Sequence, residues 1–473
     1  MKTQKHLNEM VRTAVNEFKQ KIEGFCKNIE DGQLTPEVAA DVSKCLGEAA
    51  MSAAREGYRD FLESYDFDVP ALEIDEVLYR RKMLSSKTIM TAFGRIKIER
   101  YLYQPDLGGK TFAPLDAMWG MEGEYATPEV REASLFTVSH VTPKETEAIL
   151  KKCAPFHPSA TAIQAMAQRV GTFIEENEDS LSEAIREKEK APEGARSLVA
   201  SLDGVNVLLN EPGTRQGRPK ERPDLSADEK NPTSYRNAMV GSVSFYGEVP
   251  LDGHTPDRLN SHYVSHMPEK KYPTFKHRFE AEVEHAEGIA GSEIIKVILC
   301  DGHSSIWNYV NSNPLFENYE KLVDFYHMAE HLSKAAEALF GKSTSEAREW
   351  YKTWYDKFLL EENAAGSLIR SIDYYRKILN LSKSRLKDVL KERTYFRRNK
   401  SLMNYASFLD RGLSIGSGPV EAACKTIVKT RMCRSGMRWS REGGQHILHL
   451  RTFVKSQRWE SFWNNYIQSV QAA

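Results

Sequence analysis

Apolar side chains recur at helical spacing through residues 3–65, at Leu7, Met10, Val11, Ala14, Val15 and Phe18, and predict an amphipathic helix. Leu34-Thr35-Pro36-Glu37 restarts the pattern as a second helix, with threonine as cap and proline in the first turn. A helical hairpin of this kind serves packing; a dimer contact or a contact to a DNA end is its functional alternative. The period then switches to two. Lys87–Thr91, Gly94 and Ile96–Tyr103 alternate as a β-hairpin, followed by the glycine-rich Leu107–Lys110. Thr142-Pro143-Lys144-Glu145 opens a helix ending near Lys152, and Ser159 caps another from Ala160 to about Gly171. Helix, turn, helix is the outline of a DNA-reading motif, with Gln164, Gln168 and Arg169 as candidate contacts; any antiparallel helix pair shares that outline. The acidic run Glu175–Glu189 reads as a solvated helix between domains.

The second half opens with an apolar strand, Leu198-Val199-Ala200-Ser201-Leu202, whose centre carries Asp203. Strand propensity and burial both disfavour an aspartate there, so it needs a turn, a hydrogen bond or a metal. Residues 210–237 interrupt with four prolines and with Arg215 and Arg218, which predicts a basic loop able to meet DNA. Met239–Gly247 reads as the next strand and Phe275–Ile289 as a helix. Ile294–Cys300 then repeats the first theme, a buried-type strand ending in Asp301-Gly302. His327 and His331 stand four apart on a predicted helix, a spacing that also suits zinc, with no further ligands evident in the sequence. Residues 333–408 are helical and rich in Lys, Arg, Tyr and Trp. Finally, Gly418 as cap and Pro419 as first residue predict a helix with Glu421 in its first turn, continuous from Ala422 to Met437.

Composition narrows the class. A chain of 473 residues with 41% hydrophobic and 28% charged residues suits a soluble globular protein of roughly two to four domains. No stretch has the length of a membrane span, and the first residues lack a signal-peptide core, so a cytoplasmic protein is expected. The six cysteines include no C-x-x-C pair, which argues against a disulfide framework or a zinc ribbon. Net charge is only −1, yet Lys391–Arg458 holds 15 Lys/Arg against 4 Asp/Glu. A basic stretch in a neutral chain suits a face that grips phosphates, with Lys425, Lys429, Arg431, Arg434 and Arg438 as candidate DNA contacts.

Three carboxylates stand out from these patterns: Asp203, Asp301 and Glu421. A first-turn glutamate ordinarily caps free N–H groups and favours the helix dipole. Joined with two strand-end aspartates, it becomes a third hard oxygen ligand, and such a set can hold two divalent ions that work on a phosphodiester.

The segments S-L-D-G-V (201–205), I-L-C-D-G-H-S-S-I-W (298–307), D-F-Y-H-M-A-E-H-L (324–332) and G-S-G-P-V-E-A-A-C-K-T-I-V-K-T-R-M (416–432) carry a resemblance. The chain resembles the ISKra family of bacterial insertion-sequence transposases, of the DDE superfamily and related to Mutator-like enzymes. The likeness is strong over about 198–455 and weaker over 90–171. It implies an α/β catalytic core of RNase H-like fold with a helical insertion before the third acid, preceded by a mostly helical DNA-binding region containing the β-hairpin. On that reading the divisions are 1–80 helical, 81–125 hairpin, 126–190 helical with the possible helix-turn-helix, 197–332 core, 333–410 insertion, and 411–473 last core helix and basic end.

The resemblance further implies cleavage of element ends and transfer of the 3′-OH into target DNA, with two Mg²⁺ or Mn²⁺ ions on Asp203, Asp301 and Glu421. Asp324 and His327 match the family's D/C-x-x-H motif, which puts His327 near the scissile phosphate as a catalytic residue. Expected partners are the terminal inverted repeats, the target DNA and further copies of the chain. Relatives carry a cysteine pair near Tyr101–Gly109, where Gln104, Pro105 and Asp106 stand here. A non-catalytic DNA-binding descendant and a structure-specific nuclease of the same fold are the alternatives.

Overall fold

The computed structural model describes residues 2–26, 35–210, 235–251 and 255–472. The chain divides into two compact units, one formed by the residues up to Leu181 with those from Glu460 on, the other by Ser182–Trp459.

The first unit begins with α1 (Lys2–Cys26) and α2 (Pro36–Glu63), where the Thr35 hydroxyl accepts a hydrogen bond from Val38 N as the cap. The helical stretch expected to reach residue 80 stops at Glu63. Beyond it lie β1 (Ala71–Ile74), β2 (Val77–Thr91) and β3 (Gly94–Pro105), an antiparallel sheet whose inner face packs Ile89, Ile96 and Ile98 against Leu62, Leu115 and Met121. β2 is longer than the alternation suggested, because Arg80, Arg81 and Lys82 break its apolar pattern while their charge is satisfied outside the sheet, Arg80 by Asp106 and Arg81 by Asp68. An ion pair thus closes the segment around Gln104–Asp106.

The helices α3 (Pro114–Met118), α4 (Pro128–His140), α5 (Pro143–Cys153), α6 (Ala160–Glu176) and α7 (Glu178–Arg186) follow. Thr142 and Glu145 form a reciprocal capping box at α5, and Ser159 caps α6. α18 (Trp459–Ala472) joins this unit from Glu460 on, with the Tyr466 and Phe173 rings 5.0 Å apart, instead of ending the second unit as the sequence suggested.

The second unit is built on a five-stranded mixed sheet of β4 (Ser197–Leu208), β5 (Tyr235–Tyr246), β6 (Arg258–His266), β7 (Ile295–Cys300) and β8 (Glu320–Val323), in the order β6-β5-β4-β7-β8. β4, β5 and β6 are antiparallel neighbours; β7 and β8 run parallel to β4. Apolar runs in β5, β4 and β7 occupy the middle, as burial on both faces requires.

The main core gathers β-strand residues from both faces with α8 (Pro273–Ile289), α9 (Ser304–Ser312) and the helices α10 (Phe325–Phe340), α11 (Ser345–Leu360), α12 (Ala364–Ile378), α13 (Lys383–Asn399) and α14 (Tyr405–Asp410). A second cluster holds Val205, Val207, Ala238 and Val240 against Val420, Cys424, Ile427 and Val428. The helix bearing Glu421 is not continuous to Met437. It runs as α15 (Gly418–Ala423), a π turn over Cys424–Lys429, and α16 (Thr430–Met432). α17 (Arg441–Lys455) completes this side, its Thr452 hydroxyl 2.7 Å from that of Ser265 on β6.

Candidate metal centre

Asp203 sits inside β4, opposite Val240 of β5. Parallel pairing of β4 with β7 matches Ser197 with Ile295 and Ala200 with Ile298. Carried three residues on, that register sets Asp203 level with Asp301. The next pair behaves alike: Val297 matches Glu320 and Cys300 matches Val323, so Asp301 falls level with Asp324, whose N–H donates to Cys300 O at 2.8 Å. Neighbouring parallel strands are pleated in phase. Three aspartates therefore form a row across the sheet, Asp203 within β4 and Asp301 and Asp324 just beyond the carboxyl ends of β7 and β8. All three charges act on the buried Cys300 thiol, whose pKa is raised first by burial and then by Asp301, Asp203 and Asp324.

Each acid is held by its own local structure. Asp203 Oδ1 accepts from Gly204 N at 2.6 Å, while Oδ2 lies 3.5 Å from Cys424 Sγ. That sulfur comes from the π turn, and its thiol is kept protonated by burial and by the Asp203 charge. Asp301 Oδ1 accepts from His303 N at 2.7 Å, and its carbonyl accepts from Trp307 Nε1. Asp324 is fully buried and caps α10 through His327 N. Its other oxygen accepts from Ser417 N, tying the 415–417 strap to the strand end. Ser417, one residue before the expected Gly418, is the cap position of α15, and Pro419 lies within its first turn.

Glu421 leaves this strap on the first turn of α15. Its carboxylate, 45% exposed, lies 3.7 Å from His327 Nε2, and one ligand atom each from Asp324, His327 and Glu421 lie within 4.8 Å of one another. The Glu421 carboxyl is pushed above its ordinary value by burial and by Asp324, with His327 opposing and Asp203 adding to the rise. Carboxylates crowded this way resist a shared negative charge, and a bound cation relieves them. Two carboxylates and one imidazole at this spacing could hold a metal ion, whereas among the described residues Asp203, Asp301 and Glu421 do not form such a group by themselves. His331, four residues on, belongs elsewhere: it pairs with Glu392 at 2.5 Å and stacks on Tyr395. The two histidines do not make a joint zinc site.

A second set with ligand-like spacing, Glu189, His262 and Glu282, was not foreseen. Arg458 occupies it. Its guanidinium donates to Glu189 Oε1 and Oε2, each at 2.7 Å, and to Glu282 Oε1 and Oε2 at 2.7 and 2.8 Å, with Arg186 adding a bond to Glu282. The donor oxygens are already matched by cations, so the cluster is an internal ion network and does not fit a metal.

The candidate DNA contacts divide. Lys425, Lys429 and Arg434 are exposed and Arg438 is partly so. Arg431 is corrected: it is 1% exposed, with its guanidinium 5.0 Å above the Trp439 ring, and cannot reach a phosphate. Gln164, Gln168 and Arg169 are exposed on α6, where Arg169 pairs with Glu124 at 2.8 Å. Arg215 and Arg218 lie outside the described residues. Asp324 entered the sequence reading only through the resemblance, and its place in the acid row has a signal of its own, since Leu322-Val323-Asp324 repeats the apolar-pair-then-aspartate ending of Leu299-Cys300-Asp301. Cys424 had no such signal.

Neither the protein-family models nor the curated proteins contain a match to this chain. Among the described residues, no helix is long and apolar enough to cross a membrane.

Proposed function

We propose that this chain is a DDE-type transposase, of the insertion-sequence kind its motifs resemble, which cleaves the ends of its DNA element and joins the freed 3′-OH to target DNA. The observation that carries this reading is the register coincidence: Asp203 within β4 falls level with Asp301 and Asp324, which follow the ends of the adjacent parallel strands β7 and β8, and the helix that presents Glu421 brings its carboxylate beside Asp324 and His327. The strand order supports an RNase H-like core. Three antiparallel strands are followed by two that return parallel beside the first, and a helical block, α10–α14, precedes the third acid.

Asp203, Asp301 and Glu421 would hold the divalent ions, with Asp324 and His327 flanking Glu421. Such ions, when bound, supply activation of the attacking oxygen and stabilisation of the leaving one. The chain's own side chains do the rest. His327 Nε2, beside the Glu421 carboxylate, can hold or pass a proton at the reacting phosphate. Lys425 and Lys429, exposed on the turns after Glu421, orient the phosphodiester by charge. Asp324 positions Glu421 by gripping the backbone of Ser417.

The test uses the full-length protein and the DNA that flanks its own gene. Asp203→Asn, Asp301→Asn and Glu421→Gln should each lower Mg²⁺-dependent nicking more than about 100-fold, since even the supports of metal ligands are worth about 10–100-fold. DNA binding should persist, and the protection that Mn²⁺ gives against thermal unfolding should fall. Variants that nick like the parent would remove the assignment. Nicking without joining in the parent would leave a nuclease, and binding without nicking a DNA-binding descendant.

A further inference from the structure

The first unit contains a cationic cavity that the acid row does not explain. It measures about 330 Å³ and is lined by Arg55, Met90, Gly94, Arg95, Pro155, Phe156 and His157. Three elements meet there: α2 supplies Arg55, the β2–β3 turn supplies Gly94 and Arg95, and the α5–α6 turn supplies His157. The hairpin turn is fixed by Thr91, whose hydroxyl accepts from Phe93 N and donates to Gly94 O. Arg55 Nη1 donates to Phe93 O at 3.0 Å, so the guanidinium is anchored at one corner with its remaining donors left for a ligand. Gly94 permits the closeness of the walls. Its φ is +106°, and a Cβ there would stand 3.3 Å from Pro155 O and 3.5 Å from Arg55 Nη1.

No carboxylate lines this cavity among the described residues. Several other arginines of the unit are matched: Arg80 by Asp106, Arg100 by Asp116, and Arg131 and Arg169 by Glu124. Glu147, the acid of α5 nearest in sequence, accepts from Ala160 N. Two guanidinium groups and an imidazole around an acid-free hollow select an anion with several acceptor oxygens. Position says which. The hollow lies at the turn between α5 and α6, with Lys151 and Lys152 exposed on one side and Gln164 and Gln168 exposed on the other. In a helix-turn-helix that turn borders the backbone while the second helix faces bases.

We propose that the cavity binds one backbone phosphate of duplex DNA through Arg55, Arg95 and His157, fixing how α6 meets the element's end. The inference rests on the DNA-joining function proposed above. Salt dependence of binding tests it, because each phosphate contact contributes about 0.9 to the slope of log affinity against log salt. The parent, Arg95→Gln/His157→Gln and, separately, Lys425→Gln/Lys429→Gln are compared by fluorescence anisotropy on duplex flanking DNA. Arg95 and His157 are exposed, so thermal unfolding of that double variant should match the parent.

The expected result is a slope flatter by about one and affinity down about tenfold for Arg95→Gln/His157→Gln. Arg55→Lys, which keeps the charge but loses the planar fork, should fall in between. An unchanged slope in the pocket variant, with a flattened one for Lys425→Gln/Lys429→Gln, would overturn the pocket and leave the DNA-joining reading standing. A parent without salt-dependent DNA binding would overturn both. Inorganic phosphate that binds the parent by calorimetry but not the pocket variant, with unchanged DNA slopes, would make this a small-anion site and overturn the inference.

Discussion

Arg458 places one guanidinium between two carboxylates, Glu189 and Glu282, and the last of these is 1% exposed. Burial pushes the Glu189 carboxyl upward, but hydrogen bonds from His285 and Arg458 prevail and hold it at about 2. Glu282 is likewise buried, and the Arg458 charge with the His262 bond carries it well below its ordinary value. Groups with depressed folded pKa values contribute stability that is complete above the unfolded value of about 4.5 and fades as pH falls toward about 2. Removing the cation reverses the sign. Arg458→Met leaves both carboxylates buried without their main partner, which should cost about 3–5 kcal/mol at pH 7. Their pKa values would then lie above the unfolded one, so acidification should shrink the deficit. Denaturant melts of both proteins at pH 7 and pH 4 check this; a deficit that grows on acidification would contradict the network as described.

Elements set the acid row, and one glycine sets how closely α13 can approach it. A Cβ on Gly302 would lie 2.4 Å from a Tyr395 ring carbon, 2.7 Å from its hydroxyl and 2.8 Å from Asn399 Nδ2. The Gly302 carbonyl accepts from Arg398 Nη2 at 3.0 Å and from Asn399 Nδ2 at 3.3 Å. The last turns of α13 therefore clamp the backbone next to Asp301. Gly302→Ala should destabilise by about 1–3 kcal/mol through overpacking and should lower nicking by more than that loss of folded protein explains. Equilibrium denaturation beside activity per folded molecule separates the two effects. This clamp was invisible in the sequence, where Asp301-Gly302 reads as an ordinary turn. The strands β4, β5 and β7 were legible because buried sheet centres demand apolar runs. β6 was not, since Arg258–His266 is a polar edge, and β8 has only four residues. The π turn had no signature either: Cys424–Lys429 has ordinary helical composition, and only packing against β4 shows that the extra residue delivers Cys424 to Asp203.

Charge is the property that changes most between the chain as a string and as a folded molecule. The basic stretch from Lys391 to Arg458 suggested a phosphate-gripping face, but much of it is used internally. Arg393 pairs with Asp373, Arg411 with Glu320 and Arg458 with Glu189 and Glu282. Arg398, Arg441 and Arg451 donate to backbone carbonyls, and Arg431 covers Trp439. Sequence counts cannot separate these uses, because a guanidinium satisfies a helix end or a buried acid as readily as a phosphate. With a net charge of −1 there is also no global field to draw in a polyanion. Any DNA affinity of this region must then come from its exposed residues, Lys391, Arg397 and Lys400 around α13 and Lys425, Lys429 and Arg434 behind Glu421. Lys425→Gln/Lys429→Gln should flatten the log–log salt slope of DNA binding by about 2, whereas Arg393→Gln and Arg411→Gln should leave the slope unchanged and lower stability instead. Exposed ion pairs are worth roughly 0–1 kcal/mol, so those two losses of stability should be small. Anisotropy titrations at several salt concentrations distinguish the groups, and equal slopes for all three variants would mean that the Glu421 helix does not face phosphate.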